Sequence, residues 1–193
     1  MRGRPREFDK NKAIQAALEV FWKHGYEGTS CEELLNAMGI NSGSMYSAFG
    51  DKKALYDKAF DLYCQNMVGK GIQILDGPEP PLENVRNMIR CWAGIMSHPD
   101  CKGCFIDSTL IEFGNDKSGV AEMARRVINR LQKTIEEKLI AAQQDGSLAQ
   151  STNPAELALF IVNVKQGLSV MSRAGAGEQA IQSVINTTLS ILK

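Results

Sequence analysis

The sequence predicts an all-α protein, and three observations carry that reading. Apolar residues recur at three- and four-residue steps from position 14 onward. Ser, Asp, Asn and Pro stand at helix-start positions, with Gly just past the helix ends. No segment shows period-two alternation flanked by turn signals, so strands are not expected.

Asp9 is placed to cap a first helix whose apolar face is Ile14, Ala17, Leu18 and Phe21. His24-Gly25 closes it, with Gly25 free to take the left-handed conformation past the helix end. Ser30-x-x-Glu33 is a capping box opening a second helix through Leu34, Leu35 and Met38, which Gly39 stops. Asn41 or Ser42 caps a short third helix to about Phe49. Gly50 breaks the chain and Asp51 caps a long fourth helix, with Leu55, Phe60 (or Ala59), Leu62 and Tyr63 among its apolar positions. Gly77-Pro78-Glu79-Pro80-Pro81 is the clearest break, and its prolines suit a helix start but not a helix interior.

A fifth helix runs to about His98-Pro99, and a sixth, after an irregular stretch to Gly103, ends near Gly114. A long seventh, from about Ser118 to Gln144, sets Val127, Leu131, Ile135 and Leu139 against a charged side. Asn153-Pro154 starts the eighth, and the last spans about Gly177 to Leu192. Residues 1–50 are expected to form one domain and 51–193 a larger helical one.

Composition narrows the function classes. The chain has 193 residues, 44% hydrophobic, so it can bury a sizeable core. There is no run of about 18 apolar residues for a membrane span, and no apolar stretch follows the basic N-terminus as in a signal peptide. Five cysteines, an odd number, fit a reducing compartment, and a cytoplasmic location is expected. With two histidines and no HExxH, P-loop or GxSxG pattern, nothing suggests an enzyme, and no cofactor is expected. The rival readings are an all-α enzyme and a small-molecule binder without DNA-dependent function.

The net charge is zero, which by itself argues against nucleic acid. The charge is uneven, however. Residues 1–12 hold five basic residues against two acidic ones, a basic arm of +3 in which Gly3 and Pro5 oppose helix. Residues 1–56 hold eight Lys/Arg and seven Asp/Glu. Few phosphate contacts per subunit and a modest salt dependence are therefore expected.

The second and third helices, joined at Gly39-Ile40-Asn41, make a helix-turn-helix pattern. Its second helix would lie in the major groove, opening with Ser42, Gly43, Ser44 and Met45, small or uncharged residues that allow close approach.

Residues 13–60 closely resemble the DNA-binding domain of TetR/AcrR-family transcriptional regulators. The resemblance rests on Phe21, Gly25-Tyr26, Thr29-Ser30, Gly39-Ile40 and, most specifically, Tyr46-x-x-Phe49-x-x-Lys52 with Leu55. It implies a repressor of double-stranded, palindromic operator DNA, with a variable helical domain for ligand binding and dimerisation. It also implies that Tyr46 and Lys52 contact phosphates, and Ser30 the backbone from the second helix. Ser42, Ser44 and Met45 would face the groove with Ser47 beside them, and Arg2 and Arg4 of the arm would reach phosphate or minor groove. Base-facing Arg, Asn and Gln are sparse here, so Met45 is expected to contribute apolar contacts to thymine methyls.

The same resemblance implies a homodimer through the last two helices, whose apolar faces could alternatively be intramolecular core. An effector site is expected among the fourth to eighth helices, with Tyr63, Met67, Trp92, Met96, Cys104, Phe105, Phe113, Asn163 and Gln166 as candidates. Met and aromatic residues at helical spacing also serve as core. Asn163 and Gln166, on an apolar helix, would need a ligand or dimer partner if buried. Some family members resemble this chain around Gly103-Cys104-Phe105, and a subset of them sense electrophiles or oxidants through that cysteine. A thiol there beside Lys102 would be reactive. Cys101 and Cys104 could also pair as a disulfide, bind a soft metal with Cys91 or His98, or simply pack.

Overall fold

A computed structural model describes residues 8–116 and 119–192. They form nine helices: α1 (Lys10–His24), α2 (Cys31–Met38), α3 (Ser42–Phe49), α4 (Lys52–Leu75), α5 (Pro81–Met96), α6 (Phe105–Phe113), α7 (Gly119–Gln144), α8 (Pro154–Arg173) and α9 (Glu178–Ser190). No strand occurs among the described residues. The arm residues Arg2 and Arg4 lie outside them.

The caps read from the sequence are formed. Asp9 accepts from the amides of Asn11 and Lys12 at 2.9 and 3.1 Å. Ser30 and Glu33 close the capping box, with the Ser30 amide donating to Glu33 at 2.8 Å and the Glu33 amide to Ser30 Oγ at 3.1 Å. Asn41, rather than Ser42, caps α3, taking the Ser44 amide at 2.8 Å. Asp51 caps α4 through the Ala54 amide at 2.8 Å. At Gly39 the chain turns with φ +66°, a left-handed conformation that costs a residue with a Cβ and here sets the angle between α2 and α3.

Two apolar clusters hold the helices together. The first joins α1, α2, α3 and the N-terminal half of α4 around Phe21, Leu34, Met45, Tyr56 and Phe60, and takes in Cys104, Phe105 and Ile106 at the start of α6. The second joins α5, α7, α8 and α9 around Ile89, Ile135, Leu139, Ile161 and Ile185. Aromatic rings stitch α1, α4 and α6: Phe21 to Tyr56 at 4.9 Å, Tyr56 to Phe105 at 5.2 Å and Trp22 to Tyr63 at 5.0 Å. Helix α6 thus packs directly on α1 and α4.

α8 buries the stripe Ala158, Ile161, Val162, Lys165, Leu168 and Ser169. A lysine sits on the apolar side because it finds counter-charges there. Its opposite side leaves Leu159, Phe160 and Val170 exposed, and Ile111 of α6 is 75% exposed. α9 turns Ile181 and Ile185 inward.

Candidate nucleic-acid interface and effector cavity

α3 shows a clear division of faces. Ser42, Gly43, Tyr46 and Ser47 are exposed and Ser44 is half-buried. Met45 is 0% exposed and Phe49 4%. The expectation that Met45 faces the groove is therefore corrected. With Asn41 as cap, position 45 falls on the inner side of the helix with 49, four residues on, and its thioether fills the domain core. Tyr46 points the other way and is 55% exposed. Lys52 Nζ lies 4.3 Å from the ring centre of Tyr26, a cation–π contact that steadies the ammonium at the α4 N-terminus. The exposed Ser30 has its hydroxyl engaged by Glu33, whose carboxyl is held below the usual range by the Ser30 amide and hydroxyl.

A cavity of about 130 Å³ opens between α4, α5, α6, α7 and α8. Of the expected lining residues, Tyr63, Met67, Trp92, Met96 and Cys104 are present, joined by Trp22, Met88, Ile106 and Lys165. Phe105 and Phe113 are not, and both are corrected. They lie eight residues apart on the α6 side that faces α1 and α4. Phe105 is fully buried against Tyr56 and Tyr63, and Phe113 packs 5.2 Å from Tyr26. Asn163 and Gln166 also miss the cavity. Lys165, not either amide, takes the buried side of α8, so these two line a shallow outer groove with Asp107, Ile111 and Val170. Asn163 is exposed and needs no buried partner.

At the inner end of the cavity lies a polar cluster that the sequence reading missed. Lys165 Nζ donates to Cys104 Sγ at 3.0 Å and to both Asp107 oxygens at 3.1 and 2.9 Å. Tyr63 donates its hydroxyl hydrogen to Sγ at 3.7 Å. The Cys104 amide donates to Ser169 Oγ at 2.8 Å. Lys165 and Asp107 side chains are only 10% and 7% exposed. Burial alone would lower the Lys165 ammonium, but the adjoining Cys104 sulfur and Asp107 carboxylate outweigh it and hold it above the ordinary lysine value. Burial, then the sulfur, pushes Tyr63 well up, so its hydroxyl stays protonated. The one sequence signal for the cluster was a lysine in step with the buried side of α8.

The cation beside Cys104 is thus Lys165, not the expected Lys102. Lys102 pairs with Glu19 of α1 and lies 5.5 Å from the Trp22 ring. All five cysteines are free. Cys101 lines a different, open groove with His98 and Asp100, so the two cysteines front separate spaces. No group of three or more His, Cys, Asp or Glu able to hold a metal occurs among the described residues. Cys64, half-buried, is pushed up to about 12, chiefly by burial.

The cluster is bonded to α1 and the turn that follows it. Trp22 Nε1 donates to Gly103 O at 3.1 Å, one residue before Cys104. Arg173 at the end of α8 donates to the Trp22 and Lys23 carbonyls, which end α1, at 3.3 and 3.4 Å. At the other end of α6, the Tyr26 amide donates to Glu112 at 2.9 Å.

A helix-turn-helix with an exposed second helix, joined to a helical domain around a cavity, defines a DNA-binding regulator. Comparison with known proteins sharpens this. Residues 13–59 match the model for bacterial regulatory proteins of the tetR family, and residues 81–188 that for the tetracyclin repressor-like C-terminal domain. The chain belongs to the TetR family. It is 27% identical over 192 residues to the HTH-type transcriptional repressor ComR of Escherichia coli K12, covering 98% of this chain and 91% of that protein. It is also 27% identical to the regulator YezE of Bacillus subtilis 168, over 98% and 99% of the two chains. Among solved structures, a cysteine-substituted CifR bound to 26-bp double-strand operator DNA superposes with TM-score 0.84 at 30% identity, over 97% and 98% of the chains. Reduced NemR of E. coli shares the fold, with TM-score 0.80 at 15% identity. The chain is a DNA-binding transcriptional regulator of a repressor family, not an enzyme. No helix among the described residues is long and apolar enough to cross a membrane.

Proposed function

We propose that this protein is a cytoplasmic repressor released from its operator when a small effector modifies Cys104. Residues 1–50 serve as the DNA-binding domain and 51–193 as the regulatory one. Ser42, Gly43 and Ser47 approach the major groove, with Ser44 at its edge. Tyr46 and Lys52 hold phosphates, aided by Ser30 and by Arg2 and Arg4 of the arm. The exposed side of α8, with α9, pairs two copies so that their recognition helices meet a palindromic site. The observation that carries the effector reading is the 3.0 Å contact between the Lys165 ammonium and a thiol lining an apolar cavity.

Release follows from the packing. A group added to Cys104 has to displace the α6 entry or α8, and the α6 entry is bonded to α1 through Gly103 and Trp22. The modification therefore favours an arrangement in which the recognition helices no longer match the operator spacing. The test is fluorescence anisotropy on operator DNA, selected from the chain's own upstream region, before and after methyl vinyl ketone. Wild type is expected to dissociate and Cys104→Ser to stay bound. Equal dissociation of both, or of neither, refutes the reading.

A further inference from the structure

We infer that the cavity is a reversible site for a small amphipathic monocarboxylate, with its apolar body between the two tryptophans and its carboxylate on Arg130. This goes beyond the proposed modification of Cys104 and requires no bond to that residue.

The α7 wall sets the polarity of the site. Val127, Arg130, Leu131 and Thr134 recur at three- and four-residue steps and all line the cavity, so a guanidinium stands in register with apolar lining residues. Elsewhere on the same helix, Arg125 pairs with Glu122 and Lys138 with Asp76. The Arg130 guanidinium has no ion pair or hydrogen bond among the described residues. Arg130 is exposed, so its stem follows the apolar wall and its head stands where the cavity meets solvent.

The other polar groups of the lining are already engaged. Lys165 spends its three N–H donors on Cys104 Sγ and the two Asp107 oxygens, and the Asp107 carboxylate offsets its charge. Trp22 Nε1 donates to Gly103 O, and Thr134 donates its hydroxyl hydrogen to Arg130 O at 2.9 Å. No Asp or Glu lines the cavity among the described residues. One uncompensated positive charge therefore remains, at the mouth. A single negative charge matches it, and the planar fork of a guanidinium takes both oxygens of a carboxylate. The Trp92 indole N–H, also without a partner among the described residues, is a second donor in the same lining.

The remaining walls receive the body. The volume of about 130 Å³ compares with the ~150 Å³ of a void that accepts benzene, which is room for about six carbons. Trp22, Met67, Trp92 and Met96 supply aromatic faces and pliant thioethers. A molecule with both parts removes its apolar end from water and keeps its charge at the mouth, where desolvation costs least.

The chain's two tryptophans, Trp22 and Trp92, both line the cavity, so intrinsic fluorescence reports its occupancy. Hexanoate, hexan-1-ol and adipate are titrated into the full-length protein at neutral pH, with calorimetry as a second measure. Hexanoate is expected to saturate the signal and to bind about tenfold more tightly than hexan-1-ol, the scale of a hydrogen bond to a charged group. Adipate has the same chain length but a carboxylate at each end, and its second charge would be buried without a partner. It is expected to give no saturation where hexanoate does. Arg130→Gln is expected to weaken hexanoate about tenfold and leave hexan-1-ol unchanged, which erases the preference. Arg130→Lys keeps the charge without the fork and is expected to fall between the two. Arg126→Gln removes an exposed charge one turn away, outside the lining, and is expected to bind hexanoate as wild type does.

Equal affinity of wild type for hexanoate and hexan-1-ol overturns the carboxylate class. Adipate binding as tightly as hexanoate overturns the apolar inner end. Equal weakening of hexanoate in Arg126→Gln and Arg130→Gln, or of both six-carbon ligands in Arg130→Gln, overturns the placement of the head group. The absence of a saturable signal with every probe overturns the site. All of these titrations omit methyl vinyl ketone, so their failure leaves the Cys104 proposal standing, and failure of that proposal leaves this one standing.

Discussion

Met45→Ala separates a base-reading side chain from a core side chain, and the two roles predict opposite results. Met45 is 0% exposed and lies in the cluster that joins α1 to α4, with Leu34, Phe49 and Tyr56. Alanine removes Cγ, Sδ and Cε from a site with no access to water. The lost transfer free energy and the void left behind together cost about 3 kcal/mol, within the range for buried Met-to-Ala changes. For a chain of this length that lowers the transition by on the order of 10 °C. The assay is thermal melting of the full chain, followed by a binding-site selection well below the melting point. The expected result is a markedly less stable protein whose folded fraction ranks operator sequences as wild type does. A stable Met45→Ala with altered preference would refute the reasoning and return Met45 to the groove.

The remaining two predictions test the DNA face and the link between domains. Tyr46→Phe removes one hydroxyl from a 55% exposed ring, so operator affinity is expected to fall about tenfold or more, the scale of a hydrogen bond to a charged acceptor, with little change in melting. Unchanged affinity in anisotropy titrations would remove the phosphate contact. Gly25→Ala places a Cβ at φ +77° and 2.3 Å from a Glu112 oxygen. Loss of about 1–3 kcal/mol is expected from the backbone and from displacing Glu112 off the Tyr26 amide, measured by urea denaturation. Full stability would mean that the Glu112 contact is dispensable.

Much of the architecture was legible because helix signals are local. Asp9, Asn41, Asp51 and Asn153 each bond amides two or three residues away, so a capping residue and its target lie together in the sequence. The recognition pattern around Gly39 and Tyr46 was equally local. The effector site was legible only in part. Tyr63, Trp92 and Cys104 line the cavity as their pattern predicts, while Asn163 and Gln166, polar residues on an apolar helix, line the outer groove instead. The charged residue buried on that helix is Lys165.

The sequence by itself determined the helices, their breaks, the helix-turn-helix and the family. Only the tertiary structure decided which side chain meets which across the fold. Lys165 and Asp107 are 58 positions apart, and neither alone announces a buried charge. Burying an ammonium is unfavourable until a carboxylate and a sulfur stand within hydrogen-bond reach. That condition is met by the docking of α6 on α8, which no local pattern encodes. The same docking sent Phe113 toward α1 and left Asn163 in solvent.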